Sequence, residues 1–170
     1  LSQAFTAIAQ SPHVQGVPAR DMRIVEQAVG GVHEVMHALG VQREHFGIIH
    51  EDLHPGNLLA HDGTMSPIDF SNAVFGYYLW DVGHTFDLGR ALDRAFWPRH
   101  RAYTRGYQEV RELPADYRRI MDAMFVTFWI AETAFALDSQ YADTVVPGLK
   151  LPLAVWTAER FVSGEKFLDF

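Results

Sequence analysis

The sequence predicts an α+β fold, in which a mostly helical chain carries a small β insert near its centre. Three observations predict it. Apolar residues recur at helical spacing over residues 21–39. Short apolar runs around an Asp-Gly pair mark strands between residues 46 and 70. From residue 81 onward, helical patterns are separated by prolines.

The first part of the chain predicts a loop followed by a long helix. Residues 11–20 are rich in Pro and Gly, which predicts a loop. Residues 21–39 predict an amphipathic helix with Gly40 as its C-cap. Gly30 and Gly31 each cost this helix roughly 1 kcal/mol relative to Ala. We therefore expect close packing against a neighbour at these two glycines.

The β insert is predicted from three apolar runs. Residues 46–49 predict one strand, and residues 57–60 and 65–70 predict a hairpin closed by Asp62 and Gly63. Pro67 cannot donate a ladder hydrogen bond, so its strand should be short or at an edge. Further helices are predicted over residues 81–96, 99–111, 116–137 and 151–162, with Pro98, Pro114 and Pro147 separating them.

Composition limits the function classes. The chain has 170 residues, 48% of them hydrophobic, which is enough for one domain with a core. The net charge of −7 argues against a nucleic-acid partner and favours a cationic one. The absence of Cys excludes disulfides and thiolate chemistry and fits a cytoplasmic location. No apolar run reaches the ~20 residues that span a membrane. The start at Leu1 carries no secretion signal and suggests a fragment.

The chemistry-bearing residues lie around the predicted hairpin. Asp52 follows an apolar strand, Asn57 begins the next strand, and Asp69 ends the second arm of the hairpin. A hairpin can bring Asn57 and Asp69 side by side, and their oxygens are the hard ligands that suit Mg²⁺. Asp52, set apart, can accept a proton. This layout is the one that phosphoryl transfer requires.

The run His50-Glu51-Asp52-Leu53-His54-Pro55-Gly56-Asn57, followed by Ile68-Asp69-Phe70, resembles a known pattern. It is similar to the catalytic loop and metal-binding segment of the aminoglycoside phosphotransferase and choline kinase family, which has a protein-kinase-like fold. The close match covers about a quarter of the chain. The resemblance implies that residues 1–170 form the helix-rich C-terminal lobe, with a catalytic loop at 50–57, a metal-binding segment at 68–71 and a helical subdomain at 81–170.

The resemblance also implies a role for each matching residue. Asp52 would receive the proton of a substrate hydroxyl, and Asn57 and Asp69 would hold Mg²⁺ against the phosphates of ATP. His50 would pack under the loop, and Asp81 would accept hydrogen bonds from its backbone. The remaining matches are a phosphate contact or loop packing for His54, and an apolar floor under adenine formed by Leu59 and Ile68.

Two departures from the family pattern bear on activity. Ser71 replaces the Gly of the usual Asp-Phe-Gly, a change that this branch tolerates. Residues 1–46 contain neither a phosphate-covering loop nor a Lys, and the first Lys is Lys150. The family supplies both from an N-terminal lobe, so we expect that lobe to be absent here. The expected function is ATP-dependent phosphorylation of a small-molecule hydroxyl by a lobe that is inactive alone.

A second function class remains open. A solitary lobe could be a pseudo-enzyme or binding module that packs on a partner or on itself. It would use an exposed apolar surface near Leu59 and Ile68. A zinc site among His45, His50, His54 and His61 is disfavoured. The four-residue spacing of His50 and His54 suits a metal only on a helix, and Pro55 and Gly56 disfavour a helix there.

Three further groups have open interpretations. Four aromatic residues, Phe75, Tyr77, Tyr78 and Trp80, could face a cationic substrate or pack in the core. Glu132 shares a helical stripe with Phe125, Phe128 and Phe135, so it either neutralises a substrate or is paired. Asp138, Tyr141 and Asp143 could add an acidic rim, and the arginines at 90, 94, 99, 101 and 105 predict a solvated helix face.

Overall fold

The structure is a computed structural model, and it describes residues 1–84 and 96–165. The described residues are mostly helical with small sheets, which confirms the predicted mixture of helix and strand. The helices are α1 (Ser2–Gln10), α2 (Ala19–Leu39), α3 (Tyr78–His84), α4 (Phe96–Gln108), α5 (Tyr117–Ala136), α6 (Ala142–Val145) and α7 (Leu151–Ser163). The strands are β1 (Phe46–Ile49), β2 (Leu58–His61), β3 (Thr64–Pro67) and β4 (Val74–Tyr77).

The chain divides into two compact units. The first contains residues 1–38 and 118–169, and the second contains residues 39–117. The first unit is helical, with a core of large apolar side chains that include Ile8, Val25, Met121, Phe125 and Phe161. No helix among the described residues is both long enough and apolar enough to cross a membrane.

The helix predicted over residues 21–39 is present and begins at Ala19, two residues earlier. Gly40, with φ of +70°, lies just past its end in the left-handed conformation that favours glycine. A Cβ on Gly31 would lie 2.9 Å from Cε1 of Phe161. This contact confirms the close packing expected at Gly31, whereas Gly30 has open space around its Cα.

The other predicted helices are present with small shifts at their ends. Residues 99–111, 116–137 and 151–162 correspond to α4, α5 and α7. The helix predicted over residues 81–96 begins earlier, at Tyr78, and residues 85–95 lie outside the described part of the chain.

Some helical segments were not predicted. They are α1, a 3₁₀ turn at Pro12–Val14 and the short helix α6, which a π-helical turn at Val146–Lys150 joins to α7. Pro147 therefore lies within a helical connection and does not separate helices. Its position at the start of the π-helical turn explains this, because a first-turn residue needs no N–H donor there.

Two antiparallel ribbons form the β part of the second unit. β2 and β3 pair through the predicted hairpin, with Leu58 opposite Pro67 and His61 opposite Thr64. Asp62 and Gly63 both have positive φ, as a two-residue hairpin turn requires. β1 pairs with β4, with Ile48 opposite Phe75. β4 was not predicted as a strand.

The hairpin is shorter than predicted. β3 ends at Pro67, and Asp69 lies beyond it with φ of 60° and ψ of 66°, in the left-handed region. Pro67 has no N–H to extend the ladder, and a left-handed residue cannot continue a strand. Asp69 therefore does not end a strand. It begins a 3₁₀ turn over Phe70–Asn72.

Candidate active site

Asp52 and Asn57 are held together across the loop that follows β1. The Asn57 side-chain nitrogen Nδ2 donates to the Asp52 carbonyl oxygen at 2.9 Å and to the Asp52 carboxylate Oδ2 at 3.2 Å. Nδ2 of Asn57 is thus turned toward Asp52, and Oδ1 is the remaining polar atom of that amide. The Asp52 side chain is 36% exposed, so its carboxylate is reachable from solvent.

The loop turns through a 3₁₀ segment, Pro55–Asn57, which His54 caps. His54 Nδ1 accepts a hydrogen bond from the Gly56 backbone N–H at 3.0 Å. The His54 carbonyl accepts another from the Asn57 N–H at 2.9 Å. His54 Nε2 lies 3.8 Å from Asp52 Oδ2, which is beyond hydrogen-bond range.

The residue before Asp52 has a strained backbone. Glu51 has φ of 73°, a conformation that costs a non-glycine residue about 1–3 kcal/mol. Asp81 holds this conformation, because its carboxylate accepts from His50 N–H at 2.7 Å and from Glu51 N–H at 2.9 Å. Trp80 Nε1 also donates to the Glu51 carbonyl at 3.3 Å. The start of α3 therefore fixes the backbone that presents Asp52.

His50 joins the loop to the segment that contains Asp69. Its buried ring donates from Nε2 to the Ile68 carbonyl at 2.7 Å, which places the ring proton on Nε2. The ring also packs on Phe70, with centroids 4.7 Å apart. Among the described residues, Nδ1 of His50 has no hydrogen-bond partner.

Ile68, the residue before Asp69, is hydrogen-bonded to Asn57 at the end of the hairpin. The Ile68 N–H donates to the Asn57 carbonyl at 2.9 Å, so the residue after Ile68 lies beside the start of β2. The Ser71 hydroxyl donates to Asp69 Oδ1 at 2.7 Å. Hydrogen bonds from the Ser71 side chain and backbone lower the pKa of Asp69 below its ordinary value. These hydrogen bonds therefore stabilise the ionised form of the carboxyl.

Leu59 and Ile68, the expected adenine floor, are both exposed, at 56% and 37%. Other large apolar side chains of the ribbons are also exposed, namely Ile48, Met65, Val74 and Phe75, as is Phe70 in the 3₁₀ turn. The second unit therefore presents apolar surface on its strands.

Three features of the site do not follow from the sequence reasoning: the Ser71 donor, the strain at Glu51 and the hydrogen bond from Trp80. Ser71 was noted only as a departure from Gly, although a serine two residues after an Asp is a known local donor. The strain at Glu51 and its bond from Trp80 carry no signal in the sequence, because they depend on how α3 meets the loop.

The alternative sites proposed from the sequence have other local explanations. No group of three His, Asp or Glu side chains in residues 1–84 and 96–165 is arranged to hold a metal, so the zinc interpretation gains no support. Tyr77 packs edge-on against Phe46, and Tyr78 contacts Arg43 and Arg111. Phe75 is 69% exposed on β4.

Glu132 is paired, as one of its two interpretations required. Lys150 donates to its Oε2 at 2.6 Å and lies 5.4 Å from the centroid of the Trp129 ring. Phe135 on the same stripe is 82% exposed, so that stripe is not uniformly buried.

In the expected acidic rim, Asp143 Oδ1 lies 2.7 Å from His13 Nδ1. Asp138 and Tyr141 are exposed. Arg101 and Arg105 are exposed as predicted. Arg90 and Arg94 lie outside the described residues, and the Arg99 side chain is also outside them.

Comparison with known proteins identifies the family. No curated protein matches the chain. Among solved structures it is similar to the microcompartment-associated aminopropanol kinase, with 23% identity and a TM-score of 0.75 over 92% of this chain and 50% of that one. It is also similar to the amicoumacin kinase hAmiN, solved with AMP-PNP, Ca²⁺ and Ami, with 15% identity and a TM-score of 0.60 over 95% of this chain and 51% of that one.

These likenesses show the fold, and the chain spans about half the length of either kinase. The model of the APH phosphotransferase enzyme family matches residues 6–113, which include the whole loop and the Asp69 segment. The resemblance carried by those residues is confirmed, and the chain belongs to the APH phosphotransferase enzyme family.

Proposed function

We propose that this chain carries the catalytic loop of a phosphotransferase that moves the terminal phosphoryl group of ATP to the hydroxyl of a small molecule. The single observation that most supports this proposal is that Asn57 Nδ2 donates to the Asp52 carbonyl oxygen and to the Asp52 carboxylate oxygen Oδ2. This contact orients a partly exposed carboxylate and leaves the amide oxygen Oδ1 as the acceptor of the Asn57 side chain.

In this proposal Asp52 accepts the proton of the acceptor hydroxyl. The acceptor oxygen forms a bond to the terminal phosphorus, and the bond between that phosphorus and the bridging oxygen breaks, which releases ADP. Asp52 contributes by orienting the hydroxyl and holding its proton. Its position is maintained by Asn57 and, through the Glu51 backbone, by Asp81.

The donor set fits a magnesium ion. Asn57 Oδ1 and the Asp69 carboxylate are hard oxygen ligands, and the hydrogen bonds from Ser71 further favour the ionised form of Asp69. Mg²⁺ commonly binds through one or two protein oxygens and completes its shell with phosphates and water. When bound, the ion would neutralise charge on the transferred phosphoryl group. Leu59 and Ile68 would support the base, and the acceptor would be a small, preferably cationic alcohol.

The chain alone is proposed to be a poor catalyst. It has no Lys before Lys150 that could grip the phosphates, and the kinases it resembles in fold are about twice as long. Of these, one is named for aminopropanol and the other for amicoumacin. Small amino alcohols are therefore the first acceptors to test.

The experiment measures phosphoryl transfer from radiolabelled ATP to a panel of amino alcohols, with the chain alone and with a kinase N-terminal lobe added. We expect transfer only with the added lobe. Asp69→Asn should abolish it, and Asp52→Asn should reduce turnover by about a hundredfold or more with little change in ATP affinity. Asp62→Asn is the control, because this exposed aspartate of the hairpin turn touches none of the proposed ligands. Full transfer by Asp52→Asn would refute the proposal.

A second candidate function is supported by the exposed apolar strands. Ile48 and Phe75, cross-strand neighbours on β1 and β4, are each 69% exposed. A solitary binding module would use such a surface to pack on a partner or on a second copy. Sedimentation of the chain separates the two proposals: a stable dimer without transfer under any condition favours the binding module.

A further inference from the structure

The loop between Asp52 and Asn57 closes on itself through one imidazole ring. His54 Nδ1 accepts from the Gly56 N–H, and the His54 carbonyl accepts from the Asn57 N–H. A ring nitrogen that accepts a hydrogen bond carries no proton, so in the neutral ring the proton is on Nε2. A histidine thus does the work that Asn, Asp or Ser usually does at the start of a helical turn.

Gly56 is matched to this ring. A Cβ at Gly56 would lie 2.7 Å from Cε1 and 3.0 Å from Nδ1 of His54. The Gly56 backbone is not in the left-handed region, so its conformation does not require a glycine. The absence of a side chain at Gly56 leaves room for the His54 ring. A larger residue would push the ring away from the Gly56 N–H and remove the cap.

The turn that His54 caps ends at Asn57, whose side chain holds Asp52. The Asn57 amide reaches the carbonyl oxygen and the carboxylate of Asp52 only if the turn delivers it there. The His54 ring itself is 3.8 Å from the Asp52 carboxylate, too far for a hydrogen bond. The hydrogen-bonded connection from His54 to Asp52 therefore passes through the turn.

We infer that His54 is a positioning residue, which caps the Pro55–Asn57 turn and thereby sets the Asn57 amide against Asp52, with Gly56 as the residue that makes room for its ring. The structural part of this inference stands on the contacts above. Its consequence for turnover rests on the proposed function. A direct phosphate contact by His54 is the competing role.

The test compares His54→Ala, His54→Asn, Gly56→Ala and the double variant His54→Ala/Gly56→Ala. The first readout is the exchange of the Asn57 side-chain NH₂ protons with water, measured by NMR on the full chain without substrate. Loss of a cap corresponds to about a fivefold shift in an equilibrium, so His54→Ala and Gly56→Ala should each speed exchange about fivefold. His54→Asn should stay within about twofold of wild type, because an amide oxygen also caps.

The double variant tests the pairing of the two residues. With the ring gone, an alanine at position 56 meets nothing, so Gly56→Ala should add less than about a twofold change in the His54→Ala background. An equal effect in both backgrounds would overturn the pairing. Unchanged exchange in His54→Ala would overturn the positioning role.

The second readout is phosphoryl transfer with the added lobe. The turnover number should follow the exchange rates, with KM for ATP unchanged. If His54→Asn instead raises KM for ATP as much as His54→Ala and exchange is unaffected, His54 contacts phosphate and the inference is wrong. If wild-type protein transfers no phosphate while the exchange pattern holds, the proposed function fails and the structural role of His54 stands.

Discussion

Asp81 offers the sharpest test of how the loop is held. Its carboxylate accepts two backbone hydrogen bonds, from His50 and from Glu51. Hydrogen bonds to a charged group contribute about 1.5–3 kcal/mol each, so the pair is worth about 3–6 kcal/mol. The left-handed backbone of Glu51 costs about 1–3 kcal/mol. With both bonds the clamp outweighs the strain, and with one bond the two terms are about equal.

Asp81→Asn keeps one acceptor oxygen and turns an amide NH₂ toward the other backbone N–H. We expect it to lower the free energy of unfolding by about 2 kcal/mol, measured by denaturant titration. Glu51 should then relax out of its strained conformation and move Asp52. Glu51→Gly, which adopts positive φ without strain, should recover about 1 kcal/mol in the Asp81→Asn background.

Asp62→Asn serves as the matched control, because that carboxylate is 88% exposed and should change stability by less than about 0.5 kcal/mol. Two results would refute the reasoning. One is an Asp81→Asn protein as stable as wild type, and the other is a Glu51→Gly change that further destabilises the Asp81→Asn protein.

Three other predictions follow from titratable groups. Burial lowers the pKa of His100 to about 4, so the free energy of unfolding should fall as the pH drops from about 6.5 toward 4. His100→Gln should remove about 2–3 kcal/mol of that loss, measured by unfolding titrations at pH 7 and at pH 4.5. Burial raises the pKa of Asp122 to about 6, so its ionisation destabilises the folded state at higher pH. Asp122→Asn should therefore add about 1–2 kcal/mol to the free energy of unfolding at pH 8 and almost nothing at pH 4. Ser71→Ala should raise the pKa of the Asp69 carboxyl, followed by NMR titration, and an unchanged value would show that Ser71 does not stabilise the carboxylate.

Local chemistry made much of the second unit predictable. Asp62 and Gly63 specify a two-residue turn, and His61 and Thr64 pair on either side of it. The hairpin of β2 and β3 therefore follows from these four consecutive residues. The five-residue spacing from Asp52 to Asn57 is short enough for one turn to join them. The ends of strands and helices differ from the predicted ends where a single residue stops the element. One example is Pro67, at which β3 ends before it reaches Asp69.

Contacts between distant residues were not predictable in this way. β4 lies 25 or more positions after β1, contains Gly76 and runs directly into α3 at Tyr78, so it lacks a clear strand pattern and only the folded chain shows the pairing of β1 with β4. The sequence allows two interpretations of Glu132, substrate binding or an ion pair. In the structure Lys150, in the π-helical turn, donates to the Glu132 carboxylate.

By itself, then, the sequence predicted the candidate site residues and the turns that hold them, because periodicity and turn preference act over a few residues. The tertiary structure alone decided the strain at Glu51 and the hydrogen bond that Trp80 donates to the Glu51 carbonyl. These depend on where two separate backbone segments meet, and no local pattern encodes that distance.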